Sequence, residues 1–144
     1  MKRRVFLISA GALALGVSGR ANADAMQQAM DAVLEGAKPR EGRVKLELPP
    51  LVENGNTVAF SVSVESPMTE RDHVRSIHVF NEKNPQPNIG DFFLGPRSGR
   101  ATVATRIRLA DSQTVVALAQ MSDGSWWSGS ANVVVTIAAC TETI

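Results

Sequence analysis

Val58, Phe60, Val62 and Val64 alternate with Ala59, Ser61 and Ser63. A period of two sends successive side chains to opposite faces of a strand, so this stretch buries one face and wets the other. The same pattern recurs along the chain, and it limits the fold more than any other feature. Val44, Leu46 and Leu48 alternate with Lys45 and Glu47 until Pro49-Pro50 stops them. Val74 to Phe80 forms a further strand, with Ile77 and Val79 expected on the core side, and Asp91 to Leu94 a short one. Ala101, Val103, Thr105, Ile107 and Leu109 alternate with Thr102, Ala104, Arg106 and Arg108. Val115 to Met121 and Trp126 to Ile137 complete the set, with Gly129 expected to permit a bulge or kink. Turn signals separate the runs: Asn54-Gly55-Asn56, Ser66-Pro67-Met68, the stiff Asn84-Pro85-Gln86-Pro87-Asn88, Gly95-Pro96, Ala110-Asp111-Ser112 and Asp123-Gly124.

About seven strands at such intervals predict an all-β antiparallel sandwich, with a small closed barrel as the alternative. Five Phe, two Trp and no Tyr leave the core to aliphatic and β-branched side chains. One segment breaks the period. Met26, Met30, Val33, Leu34 and Ala37 lie on one face of a short helix from Asp24 to Lys38. Asp24 is its expected cap, and Gly36 and Pro39 mark its end.

The first residues read as an address. Lys2-Arg3-Arg4 precede the short apolar stretch Val5 to Val17, and Ala21-Asn22-Ala23 supplies a cleavage site before Asp24. Arg3-Arg4-Val5-Phe6-Leu7 resembles a twin-arginine export signal, and an ordinary secretory signal is the alternative. Either exports the protein, and a bacterial periplasm is the expected destination. The expected division is 1–23 export signal, 24–137 helix plus sandwich, and 138–144 tail. The signal holds four of the fifteen basic residues and none of the fourteen acids. The mature chain would therefore carry eleven bases against fourteen acids, a net charge of −3. That balance, with dispersed bases, argues against nucleic acid. No second apolar run is long enough for a membrane span.

Most candidate chemistry dissolves on inspection. His73 and His78 have no third histidine and no acid cluster beside them, so no metal site is expected. No carboxylate pair, phosphate-binding glycine loop or nucleophile elbow stands out. Asp72-His73 with Cys140 would make a thiol triad only if the fold brought them together. Trp126 and Trp127 read as rim aromatics, one of them an anchor for a partner subunit. Arg106 and Arg108 read as a solvated strand face or a partner contact. Cys140 is different. It is the only cysteine, it follows the run Val133-Val134-Val135-Thr136-Ile137, and it precedes Thr141-Glu142-Thr143-Ile144. A lone cysteine in an exported chain points to an intermolecular bond or a working thiol, whereas a buried one would serve only as a small hydrophobe.

Several blocks in order are similar to the SoxY family, the sulfur-carrier subunits of periplasmic thiosulfate oxidation. They are Asn54-Gly55-Asn56-Thr57-Val58, Ser63-Val64-Glu65-Ser66-Pro67-Met68-Thr69 and Ile77-His78-Val79-Phe80-Asn81-Glu82-Lys83-Asn84-Pro85. Ser98-Gly99-Arg100-Ala101, Thr105-Arg106-Ile107-Arg108-Leu109-Ala110 and Met121-Ser122-Asp123-Gly124-Ser125 continue the likeness. The resemblance implies an immunoglobulin-like sandwich paired with a SoxZ-like subunit, with no cofactor of its own. It implies that Cys140 bears sulfur intermediates covalently on a flexible arm that includes Ala138, Ala139, Thr141 and Glu142. Separate enzymes then act on the adduct: a haem c enzyme that conjugates thiosulfate, a hydrolase that releases sulfate, and a sulfur dehydrogenase. On this reading the chain is a substrate carrier and not an enzyme. The family arm ends Gly-Gly-Cys-Gly-Gly, whereas here Ala138-Ala139 precede Cys140 and bulkier residues follow it. The departure keeps a second reading open, a paralogue that retains the SoxZ-pairing sandwich as a structural or regulatory partner with lost or altered carriage.

Overall fold

The structure, a computed structural model, describes residues 20–137. The expected export segment before Arg20 and the tail 138–144 lie outside the described residues. Among the described residues one helix, α1 (Arg20–Leu34), leads into nine strands. These are β1 (Arg40–Glu41), β2 (Val44–Glu47), β3 (Leu51–Asn54), β4 (Val58–Val64), β5 (Val74–Asn81), β6 (Asn88–Phe93), β7 (Thr102–Ile107), β8 (Gln113–Met121) and β9 (Trp126–Ile137). They form two sheets, so the sandwich expectation holds and the closed barrel does not. The larger sheet runs β1-β9-β8-β5-β6 with β3 also on β9, and the smaller runs β2-β4-β7.

The seven expected strands are all present, and β1 and β3 are additions. Both pair with the outer edge of β9 and run parallel to it, a departure from the all-antiparallel expectation. Arg40 and Glu41 face Trp127 and Ser128 near the start of β9, while Leu51 to Asn54 line its last residues. Between them the chain crosses to the other sheet as β2. Gly42 (φ 121°) and Arg43 (φ 58°) make the first crossing, and Pro49-Pro50 stand at the return. Gly129 lies where β2 passes over β9. A Cβ there would sit 2.5 Å from the Val44 carbonyl oxygen. The β8–β9 register runs unbroken through Gly129, so this glycine admits a neighbouring backbone and makes no bulge.

The main core lies between the sheets. Phe60, Val62, Ile77, Val79, Val115, Ala117, Ala119 and Val133 are among its buried members. A second core lies on the outer face of the larger sheet, where Met26 and Leu34 of α1 cover Phe80, Leu118 and Trp126. Burial on both faces explains why β5 lacks a clean alternation: from Ser76 to Asn81 every residue is buried. The helix begins at Arg20, so Asp24 is an exposed residue within it and not its cap. It ends at Leu34, four residues short of the expected Lys38, where Glu35 (φ 50°) and the expected end signal Gly36 (φ 88°) take left-handed conformations. Trp126 is therefore a core residue and not a rim aromatic. Trp127 is half-buried, with the Arg43 and Arg40 guanidinium carbons 4.6 and 5.9 Å from its ring centre.

Candidate functional site

The end of β9 carries the expected thiol segment, so its surroundings define the candidate site. Cys140, Ala138, Ala139, Thr141 and Glu142 themselves lie outside the described residues. β8 begins at Gln113, opposite Val133, and among the described residues no strand on the β8 side accompanies β9 further. The remaining residues are held in other ways. On one side β3 pairs Leu51 with Val134, Val52 with Val135 and Asn54 with Ile137. The Thr136 hydroxyl lies 3.3 Å from the carbonyl oxygens of both Val52 and Glu53 and donates toward them. On the other side the Ser112 hydroxyl accepts the Val135 N–H at 2.8 Å, taking the place of a missing strand. Val135 and Val52 point inward and are buried, which locks the register. Leu51 and Val134 point outward and are 59% and 53% exposed.

A part-buried amide network supports the loops around this strand end. The Asn81 side chain donates to the Gln86 carbonyl at 2.9 Å and accepts the Asn84 N–H at 2.8 Å. The Asn84 side chain donates to the Arg108 carbonyl at 2.7 Å and accepts from the Ala110 N–H and the Gln113 side chain at 2.8 and 3.0 Å. Gln113 also accepts the Lys83 N–H at 2.9 Å. The Asn54-Gly55-Asn56 turn joins through Gly55, whose carbonyl accepts the Leu109 N–H at 2.8 Å. Every amide thus finds partners, the condition under which a buried polar network stiffens its surroundings. The sequence shows these residues only as turn formers, because the network closes across separations such as that between Asn84 and Gln113.

The other candidates do not join this site. His73 sits in the loop before β5, its Nδ1 3.1 Å from the Thr69 carbonyl and its N–H donating to Ser122. Ser122 follows the end of β8, so Asp72 and His73 lie near the start of β9. The full twelve residues of β9 separate them from its end, roughly 35–40 Å of strand. Cys140, the third member of the triad weighed from the sequence, lies outside the described residues. His78 lies on the outer face beneath Trp126, with ring centres 5.8 Å apart, and Phe93 meets it edge-on at 6.0 Å. Its Nδ1 donates to the Asp91 carboxylate at 2.6 Å, and its Nε2 lies 3.1 Å from the Ser76 hydroxyl. Burial pushes the Asp91 carboxyl up, but hydrogen bonds from Asn88 and His78 and the His78 charge outweigh it and leave the group below its ordinary value. Ser76 is buried, so this Asp-His-Ser line braces a sheet face and offers no nucleophile to solvent. Arg106 is exposed on the outer face of the smaller sheet, and Arg108 lies just beyond β7. Among the described residues no three His, Cys, Asp or Glu side chains gather to hold a metal ion. No described helix is long and apolar enough to cross a membrane.

A family model described as sulfur oxidation protein SoxY matches residues 30–140. No curated protein matches the sequence. Among solved structures, the sulfur carrier protein SoxY from Chlorobium limicola f thiosulfatophilum superposes with a TM-score of 0.67 at 25% identity, covering 80% of this chain and 99% of that one. Superoxide reductase (neelaredoxin) from Ignicoccus hospitalis gives 0.58 at 20% identity, covering 65% of this chain and 80% of its own. Superoxide reductase from Nanoarchaeum equitans gives 0.55 at 10% identity over 67% and 99%. The likeness to the reductases is one of fold.

Proposed function

This chain belongs to the SoxY family of sulfur oxidation proteins, and on that premise we propose that it is a periplasmic sulfur carrier whose Cys140 bears the cargo. It is a substrate of enzymes and not itself an enzyme. The observation that supports the reading most is the extent of the family match, which runs through the whole sandwich to residue 140. The strand end described above adds to it. A braced strand followed at once by a lone thiol suits a group that must leave the body of the protein and enter the clefts of others.

The chemistry follows from the thiolate, the nucleophilic form of cysteine. Joining the Cys140 thiolate to thiosulfate makes one S–S bond and releases two electrons, which pass to the haem c enzyme that conjugates them. Hydrolysis then breaks the bond between the outer sulfur and the sulfonate. Water supplies the oxygen of the sulfate that leaves, two protons are released, and a persulfide stays on Cys140. A sulfur dehydrogenase oxidises that sulfane sulfur further. A SoxZ-like subunit completes the carrier as a heterodimer, and the export signal at 1–23 sends it to the compartment where these enzymes work.

Intact-mass spectrometry tests this. The carrier with its SoxZ-like partner, thiosulfate and the conjugating enzyme should gain the mass of one thiosulfate less two electrons. Cys140→Ser should gain nothing. Absence of any adduct with the full enzyme set would overturn the reading. One feature favours a second: Thr141-Glu142 stand where the family has two glycines. A paralogue that pairs with a SoxZ-like subunit without efficient carriage would restore sulfur oxidation to cells lacking the gene even as Cys140→Ser.

A further inference from the structure

We infer that the exposed pair Leu51 and Val134 is the seat on which a sulfur-processing enzyme rests the rim of its cleft while it holds Cys140. The inference rests on the carrier reading and deepens it. It starts from reach. Three residues carry the chain from Ile137 to Cys140, at most about 11 Å. An enzyme that encloses the sulfur must bring its own surface that close to the end of β9. Even a small transient interface of ~500 Å² per partner has a radius of ~13 Å, so its footprint must cover the residues around the strand end.

Those residues are not neutral ground. Among the described residues the exposed large hydrophobics are Leu51, Phe93 and Val134. Leu51 and Val134 are cross-strand neighbours in register, and Val134 precedes Ile137 by three residues. Phe93 lies on β6, at the opposite edge of the sheet. Glu53 and Thr136 share the outward face of the pair, and α1 covers a different part of that face, over Phe80, Leu118 and Trp126. The Pro50 carbonyl accepts the Val134 N–H at 3.0 Å, and Thr136 and Ser112 pin the residues beyond. The seat is therefore formed before any partner arrives, and docking orders little. Its two apolar side chains give a small contact, which suits a carrier that must leave each enzyme for the next. A subunit permanently seated there would hold every enzyme away from a thiol on so short a tether, so the occupant is an enzyme and not the SoxZ-like partner.

The test is the double variant Leu51→Glu/Val134→Glu, prepared as the complex with its partner subunit. With the thiosulfate-conjugating enzyme, kcat/KM for adduct formation should fall at least tenfold, through KM. Alkylation of Cys140 by iodoacetamide and the thermal midpoint should match the wild type. Leu51→Met/Val134→Ile should conjugate normally. If the charged pair unsettles β3, the single variants Leu51→Thr and Val134→Thr should each raise KM about threefold. A kcat/KM within twofold of wild type overturns the proposal. So does loss of the partner subunit from the charged variant, which would assign the patch to the permanent interface. A wild-type carrier that takes no adduct at all overturns the carrier reading itself, and this one with it.

Discussion

At the scale of single residues, two positions have consequences the sequence hid. Gly129 was legible as a special glycine inside a strand, but the reason lies in β2, which is remote in sequence. Gly129→Ala would press a methyl group against the Val44 carbonyl at 2.5 Å, a contact that backbone on both sides must relieve. The expected cost is about 1–3 kcal/mol, read as a lower urea midpoint with an unchanged slope. His78 read as an ordinary histidine because period two says which face it occupies and not what covers that face. Its partner Asp91 sits in the short strand expected there, and the pairing makes a sign that can be checked. The folded Asp91 carboxyl lies below its ordinary value of 3.8, so its contribution is fully present above that pH and is lost as pH falls through the lower folded value. Asp91→Asn keeps an acceptor for the His78 N–H and removes the charge. It should be less stable than wild type at pH 7 by under ~1 kcal/mol, because Asp91 is partly exposed and screened. That gap should close below about pH 4, in denaturation curves taken at pH 7, 5 and 3. A gap that widens on acidification would contradict the sign.

At the scale of elements, what local pattern can express was legible. β2, β4 and β7 announce themselves by alternation, and the Asp123-Gly124 turn follows from its residues, with Gly124 at φ 86°. β1 and β3 were not. β1 has two exposed residues and no apolar signal, and β3 buries only Val52 behind two prolines. Both exist because β9 offers an edge, and an edge is a property of the sheet and not of the segment that covers it. The helix was legible as an amphipathic element, but its seat was not, because Trp126 read as a rim aromatic rather than as a residue the helix covers. That seat is testable. Trp126 is buried between α1 and the sheet, so Trp126→Ala should cost about 3–5 kcal/mol. Amide exchange in α1 should quicken more than in β4, which faces the other core. Equal loss of protection in both would mean that helix and sandwich unfold as one unit.

At the scale of the whole molecule, the carrier reading divides the chain into a sandwich body and a tail that bears the proposed chemistry. Among the described residues both cores draw their buried members from Met26 to Val135, and the last strand pair is Asn54 with Ile137. The proposed cargo site lies beyond all of these residues. The two parts should therefore respond independently to change. Replacing residues 138–144 with Gly-Gly-Cys-Gly-Gly, the ending usual in the family, should leave the thermal midpoint within ~2 °C of wild type. A fall of ~5 °C or more would mean that the natural tail contributes on the order of 1 kcal/mol by packing on the body. The same exchange should change conjugation, and the dominant cause can be separated by magnitude. Glu142 follows Cys140 by two residues, at most about 7 Å away along the chain. A carboxylate at that distance in water opposes a thiolate by ~0.6 kcal/mol, roughly a threefold effect that salt screens away. Glu142→Gln should therefore speed alkylation of the thiol about twofold at low salt and hardly at all at high salt. The glycine tail should raise kcat/KM with the conjugating enzyme by more than that, and at every salt concentration, because glycine removes side-chain bulk and frees the backbone to bend. If Glu142→Gln alone reproduces the full gain, charge and not bulk separates this tail from the glycine-rich one.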